Sequence, residues 1–128
     1  MLDTLQQTIA PIFAAHPGVK LAWLFGSRAR GTARKDSDFD FAVVGDFDLL
    51  ALRADLDKVL HREVDVVDLN RESLPLMKAV IEDGQLVYEG KPGALGDWTF
   101  RVHSILDLDW PNYTRMRDSY LQGLAERR

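Results

Sequence analysis

Three apolar runs of strand length, separated by segments with helical periodicity, restrict the folds open to this chain. The runs are residues 19–25 (VKLAWLF), 38–44 (DFDFAVV) and 63–69 (EVDVVDL). Their β-branched and aromatic residues are typical of strands, and residues 86–88 predict a short fourth strand. Strands that alternate with helices along a chain build a sheet with helices packed on it. The pattern therefore predicts a small α/β domain.

The helices predicted around these strands follow from apolar spacing and from capping residues. The first ends near residues 16–18, and the second spans residues 47–60, where leucines recur at helical spacing. The third begins after an N-cap at Ser73 and ends at Gly84.

The last third of the chain differs from the rest in composition. Residues 90–97 hold three of the nine glycines and are a predicted linker. Residues 98–128 are predicted to form one or two helices. We therefore expect one domain over residues 1–90 and a helical extension of the same domain over residues 91–128.

The charge and composition of the chain exclude several classes of protein. Its 128 residues carry a formal net charge of −4, so it lacks the global basic field that produces general nucleic-acid binding. It has no cysteines, which fits a reducing compartment. Asp3 lies where a signal peptide has basic residues, and no segment approaches the roughly 18 apolar residues of a membrane span. We expect a cytoplasmic protein with no membrane association.

Two aspartates separated by one residue begin the second predicted strand. Because side chains alternate along a strand, Asp38 and Asp40 share one face, while Phe39 and Phe41 face the core. Two carboxylates held this close repel each other unless a cation lies between them. Mg²⁺ prefers hard oxygen ligands of this kind. An Asp-x-Asp pair by itself is more often a solvated strand edge, but together with the Gly-Ser turn and Asp65 described below the pair predicts a Mg²⁺ site.

The third predicted strand offers a further carboxylate. Asp65 lies among valines, and an acid within so apolar a strand is costly to bury without a partner. Asp68 lies near the strand end, where exposure or a capping role would satisfy it. We therefore expect Asp65 to join Asp38 and Asp40 as a metal ligand and catalytic residue.

The first predicted strand runs directly into Gly26 and Ser27. Where a strand turns into a short helix, backbone N–H groups and a serine hydroxyl face the positive end of the helix dipole, where phosphate oxygens bind. Four basic side chains follow within eight residues of an otherwise acidic chain: Arg28, Arg30, Arg34 and Lys35. Basic residues in a turn are often merely solvated. We nevertheless expect Gly26, Ser27, Arg28 and Arg30 to bind phosphate groups of a ligand.

Two common motifs do not explain these residues. A calcium-binding EF-hand loop requires Gly at the position of Phe41 and Glu at that of Phe47. A Walker phosphate loop requires Lys and Ser or Thr at the positions of Thr32 and Ala33.

The segment from Gly26 to Asp40 (GSRARGTARKDSDFD) resembles the signature of the minimal nucleotidyltransferases of the polymerase-β superfamily. That signature is Gly-Ser, ten intervening residues and Asp-x-Asp, and its inner Ala and Gly are also present. The EVDVV segment, residues 63–67, is similar to the strand that carries the third carboxylate of the family, which corresponds to Asp65. The resemblance covers about residues 5–90.

The resemblance implies an α+β palm, in which helices flank a small mixed sheet. It implies a Mg²⁺-dependent transfer of AMP from ATP to a hydroxyl, with residues 1–90 as the nucleotidyltransferase domain. Many minimal members are antitoxins paired with a HEPN-type ribonuclease toxin, and some silence the toxin by adding AMP to one of its tyrosines. The resemblance therefore implies a protein adenylyltransferase that forms a hetero-oligomer with a HEPN-type partner.

Two other functions remain open. Relatives that modify small molecules such as aminoglycosides, or RNA ends, generally carry a larger second domain, and a chain of 128 residues has little room for one. A binding antitoxin that neutralises its partner without catalysis would have no need of three complete acids. Both alternatives are less consistent with the sequence than protein adenylylation.

Overall fold

The computed structural model describes residues 2–26, 38–70 and 74–126. Within this part of the chain, four helices and four strands follow one another in the predicted order. The helices are α1 (Leu2–Ala14), α2 (Leu49–Leu60), α3 (Leu74–Asp83) and α4 (Ala94–Glu126), and the strands are β1 (Val19–Phe25), β2 (Phe39–Gly45), β3 (Val64–Asp68) and β4 (Gln85–Glu89). The short helical turn predicted after β1 falls on residues outside the described ones.

The four strands form one mixed sheet in the order β3-β2-β1-β4. β1 is antiparallel to both of its neighbours, whereas β2 and β3 run parallel. A parallel pair requires a crossover connection, which α2 supplies. β1 and β2 occupy the interior of the sheet, and this position explains their nearly continuous apolar sequences. The mixed sheet flanked by helices is the expected architecture.

Helices α1 and α2 build the main core on one face of this sheet. Ile9 and Phe13 of α1 are fully buried there, together with two leucines of α2. The ring of Phe13 meets Phe41 edge-on, with 5.8 Å between ring centroids. Full burial of a side chain of this size contributes about 1.5–3 kcal/mol. Phe39 and Phe41 both face this core, as predicted.

The opposite face of the sheet is also apolar in its middle. Leu21 and Trp23 of β1 pair with Val44 and Ala42 of β2 on this face, and all four side chains are buried. Helix α3 contacts β1. The two central strands are therefore covered on both faces over most of their length.

Capping residues set the ends of the helices more sharply than apolar spacing does. Helix α2 begins at Leu49, two residues later than predicted, because the Asp48 side chain accepts the N–H of Ala51 at 3.1 Å and forms the N-cap. Helix α3 ends before Gly84, as predicted, and a Cβ at that position would lie 2.5 Å from the carbonyl oxygen of Val80. The predicted N-cap of α3, Ser73, lies outside the described residues.

The chain divides into two compact units, Met1–Leu95 and Gly96–Arg128. The second unit consists of most of α4, a single helix that continues through Pro111. The glycines of residues 90–97 predicted a linker, but the second half of this segment is helical. The reason is local, because Leu95 donates its N–H to the Glu89 carboxylate at 3.0 Å and Asp97 places an acid in the first turn. None of the described helices is long and apolar enough to cross a membrane.

Candidate active site

Asp40 of β2 and Asp65 of β3 are direct partners in the parallel pairing of these strands. Their neighbours Phe39 and Val64 are also partners and belong to the core, so both acids lie on the opposite face of the sheet. Neighbouring strands are ~4.8 Å apart. Asp40 is half-buried and Asp65 is exposed. The structure thus brings together two carboxylates from separate parts of the chain.

Asp38 lies immediately before β2 rather than within it, and it is exposed. The N–H of Phe39 donates to the carbonyl of Glu63 at 3.1 Å, so interstrand hydrogen bonding reaches the first residue of β2. One residue separates Asp38 from Asp40 along the chain, which is the spacing that places side chains on one face of an extended segment. Asp38 therefore adjoins the end of β2 that carries Asp40.

Gly26 follows β1 directly and adopts a φ of +77°. Residues with a side chain rarely adopt this conformation, whereas glycine does so at little cost. A Cβ at this position would lie 2.5 Å from Oδ2 of Asp40. The backbone at the end of β1 is therefore in close contact with the Asp40 carboxylate, and two independent reasons disfavour a side chain here.

The acid that the sequence analysis set aside, Asp68, occupies a different place. It pairs with Val43 at the other end of β3. Its Oδ1 accepts the backbone N–H of Asn70 at 3.0 Å and the side-chain amide of Asn70 at 2.8 Å, and that amide also donates to the carbonyl of Gly45. Asp68 thus stabilises the turn that follows β3, and it lies away from the pair formed by Asp40 and Asp65.

The predicted phosphate-binding residues Ser27, Arg28 and Arg30 lie outside the described residues, so only Gly26 of that group has a described position. Within the described part of the chain, no three His, Asp or Glu side chains form a group that could hold a metal ion. The roles of Asp38, Asp40 and Asp65 as metal ligands and catalytic acids stay predictions.

Phe25 is a residue of this region that sequence reasoning missed. From the sequence alone it is only the last residue of an apolar strand. In the structure it pairs with Asp40 across β1 and β2, and it is half-buried where the preceding residues of the same face are buried. The register of the antiparallel pair reveals this position, and no local sequence signal specifies it.

Comparison with protein families gives one match that covers most of the chain. The sequence profile described as "Polymerase beta, Nucleotidyltransferase" matches residues 7–92. This range contains β1 to β4 and all three predicted catalytic acids. It ends two residues before α4 begins.

Curated relatives carry related names. The chain is 33% identical over 92 residues to the protein adenylyltransferase MntA of Aphanizomenon flos-aquae. This match covers 60% of this chain and 61% of the relative. It is 39% identical over 82 residues to a candidate protein adenylyltransferase of Methanocaldococcus jannaschii. That match covers 60% of this chain and 86% of the other protein. The chain thus spans about three fifths of the length of the Aphanizomenon relative.

Solved structures share the fold over most of the chain. A chain of a toxin–antitoxin crystal structure with AMP-PNP superposes with a TM-score of 0.73 at 26% identity, and the match covers 90% of this chain and 98% of that one. A chain from the complex of tri-AMPylated Shewanella oneidensis HEPN toxin with its MNT antitoxin gives a TM-score of 0.69 at 24% identity, with 94% and 99% covered. The predicted fold class is confirmed by these superpositions.

Proposed function

The chain belongs to the polymerase-β nucleotidyltransferase family, and from this premise we propose that it transfers AMP from ATP to a tyrosine hydroxyl of a HEPN-type toxin. In this reaction the hydroxyl oxygen attacks the α-phosphorus, the bond to the β-phosphate oxygen breaks and pyrophosphate leaves. The hydroxyl proton passes to a nearby base, for which the exposed Asp65 is the candidate. The chain would act as the antitoxin of the pair.

The observation that carries this proposal is the pairing of Asp40 with Asp65 beside the backbone of Gly26. Carboxylate oxygens are the ligands that Mg²⁺ prefers, and acids placed side by side are stabilised by a cation between them. Asp38, Asp40 and Asp65 supply oxygen donors of the type that Mg²⁺ prefers, and we propose that they hold it together, with a rearrangement on binding because the three do not form a metal-binding group in this structure. When bound there, Mg²⁺ supplies positive charge that offsets the charge developing on the phosphates.

The backbone at Gly26 supports the placement of the triphosphate. Gly26 has no side chain to cover its main chain, and its backbone lies against the Asp40 carboxylate, so we propose that a phosphate held by the metal also meets this turn. Phosphates at this turn would lie next to the acids. Ser27, Arg28 and Arg30 follow immediately in the sequence, and we propose that they bind the same phosphates.

The partner and the acceptor are inferred from relatives. Two relatives are named as protein adenylyltransferases, those of Aphanizomenon flos-aquae and Shewanella oneidensis, and the superposed chain with AMP-PNP belongs to a toxin–antitoxin structure. These names favour a protein acceptor over an aminoglycoside or an RNA end. We therefore propose a hetero-oligomer of this chain with a HEPN-type toxin.

The proposal is tested by co-expressing the chain with a HEPN-type toxin and measuring intact masses after incubation with ATP and Mg²⁺. The expected result is a toxin heavier by one or more AMP units, with no such gain for Asp40→Asn. Asp57→Asn is the matched control, because Asp57 is an exposed acid of α2, which packs on the opposite face of the sheet.

Each remaining outcome selects another function. A toxin that is neutralised without any mass change would show a binding antitoxin instead. Transfer of AMP to an aminoglycoside or an RNA, with the toxin left unmodified, would show that the acceptor class is wrong while the family chemistry is right.

A further inference from the structure

Three residues from three different strands form a row across one face of the sheet. Phe25 of β1 pairs with Asp40 of β2, and Asp40 pairs with Asp65 of β3. Partners in neighbouring strands share a face, with Cβ atoms about 4.5–5.5 Å apart in an antiparallel pair. The row thus places an aromatic ring on one side of Asp40 and a second carboxylate on the other.

Phe25 marks the point where the covered part of this face ends. The pair Trp23 and Ala42, one step further along the strands, is 5% and 0% exposed. Phe25 and Asp40 are both only half-buried. Phe25 also lies outside the core cluster of the other face, in which Phe13, Phe39 and Phe41 take part. Its ring therefore retains apolar surface next to a carboxylate.

The surroundings of this ring combine two kinds of chemistry. Gly26, the next residue in the chain, presents backbone to the Asp40 carboxylate without a side chain between them. The carboxylates of Asp40 and Asp65, which suit a metal-bound phosphate, thus lie next to the aromatic surface of Phe25. A ligand that matches both has an anionic part and an apolar ring, and a nucleotide has both.

We infer that the ring of Phe25 packs against the nucleoside part of ATP, while the acids and the turn at Gly26 hold its metal-bound triphosphate. This inference rests on the proposed function and adds a residue that selects a nucleoside triphosphate over bare polyphosphate. Stacking of a base on an aromatic side chain is lost when the ring is removed, and the loss corresponds to roughly a 10- to 100-fold change in affinity.

The test compares two ligands that share the polyphosphate and differ in the nucleoside. Binding of AMP-PNP and of tripolyphosphate, each with Mg²⁺, is measured by calorimetry for the full chain and for Phe25→Leu and Phe25→Tyr. Phe25→Leu should raise the dissociation constant of AMP-PNP at least tenfold and that of tripolyphosphate less than threefold, because only the aromatic surface is lost. Phe25→Tyr keeps the ring and should bind AMP-PNP within threefold of the wild type.

A matched control is Phe47→Leu, because Phe47 is a half-buried phenylalanine that packs against the main core. It should leave the ratio of the two affinities unchanged. Equal weakening of both ligands by Phe25→Leu would show a purely structural role and overturn the inference, as would unchanged binding of AMP-PNP. A wild-type chain that does not bind AMP-PNP at all would overturn the proposed function as well, so the two failures are distinguishable.

Discussion

At the scale of single residues, the acids of β3 differ sharply in their surroundings. Asp65 is exposed beside Asp40, whereas Asp68 accepts two hydrogen bonds from Asn70 at the far end of the strand. A substitution that removes the charge should therefore have different effects at the two positions. We expect a substitution at Asp65 to change activity, and one at Asp68 to change mainly stability.

We predict that Asp65→Asn lowers the rate of AMP transfer at least 100-fold, whereas Asp68→Asn lowers it less than threefold. The asparagine at position 68 still offers an oxygen to Asn70, so its effect on the free energy of unfolding should stay within about 1 kcal/mol, the usual net value of one hydrogen bond. Transfer rates and urea denaturation of both variants check this. A larger loss of activity for Asp68→Asn would contradict the site.

Gly26 allows the crowding against Asp40 to be separated from backbone strain. Gly26→Ala should destabilise the fold by about 1–3 kcal/mol through its positive φ and by a further amount through the contact of the new Cβ with Oδ2 of Asp40. In an Asp40→Ala background the second contribution is absent, so Gly26→Ala should cost less there. A double-mutant cycle measured by denaturation isolates the difference. Equal costs in both backgrounds would show that crowding contributes nothing.

At the scale of elements, α2 serves as the crossover between the parallel strands that carry Asp40 and Asp65. Its beginning is stabilised by Asp48, whose side chain accepts the N–H of Ala51. The helix also places Leu52 and Leu56 in the main core. Fraying of its first turn should therefore affect stability before it affects the acids on the opposite face.

We predict that Asp48→Ala lowers the free energy of unfolding by about 1 kcal/mol, the typical value of an N-cap, with little effect on nucleotide affinity. Asp46→Ala removes a nearby exposed acid that does not cap the helix, and it should change stability by less than about 0.5 kcal/mol. Thermal melts and calorimetry of the two variants decide the question. A cap variant that loses nucleotide binding would mean that α2 positions the site directly.

At the scale of the whole molecule, binding of the proposed ligand by the acids should increase the stability of the fold. A ligand that binds only the folded state raises stability by about 2.7 kcal/mol when present at 100 times its dissociation constant. AMP-PNP with Mg²⁺ should therefore raise the melting temperature of this chain. The Asp38→Asn and Asp40→Asn double variant should show no such rise.

Without metal, the same double variant should be at least as stable as the wild type, because it removes two like charges that repel each other. Melting temperatures of the wild type and the double variant, each measured in EDTA and in Mg²⁺ with AMP-PNP, test both expectations. Destabilisation of the double variant in EDTA would show that the carboxylates stabilise the fold itself, and a retained ligand response would place the metal elsewhere.

Local patterns were sufficient for most of the elements. Strand β1 has the predicted bounds, and β2 and β3 begin within one residue of theirs, because runs of β-branched and aromatic residues specify strands locally. The least accurate prediction concerned residues 90–97, where glycine content suggested a linker. Helix α4 already begins at Ala94, since the carboxylate of Glu89, six residues earlier, accepts the N–H of Leu95.

For the candidate site, the sequence by itself determined that Asp38 and Asp40 lie together at the beginning of β2 and that Gly26 follows β1, because Asp-x-Asp and Gly-Ser are contiguous patterns next to apolar strand runs. It did not determine that Asp65 pairs with Asp40, that Gly26 touches Asp40, or that Phe25 completes the row. These contacts join residues 14 to 25 positions apart and follow from the register of the strands. Only the tertiary structure decided them, since strand register depends on how the whole sheet packs against its helices.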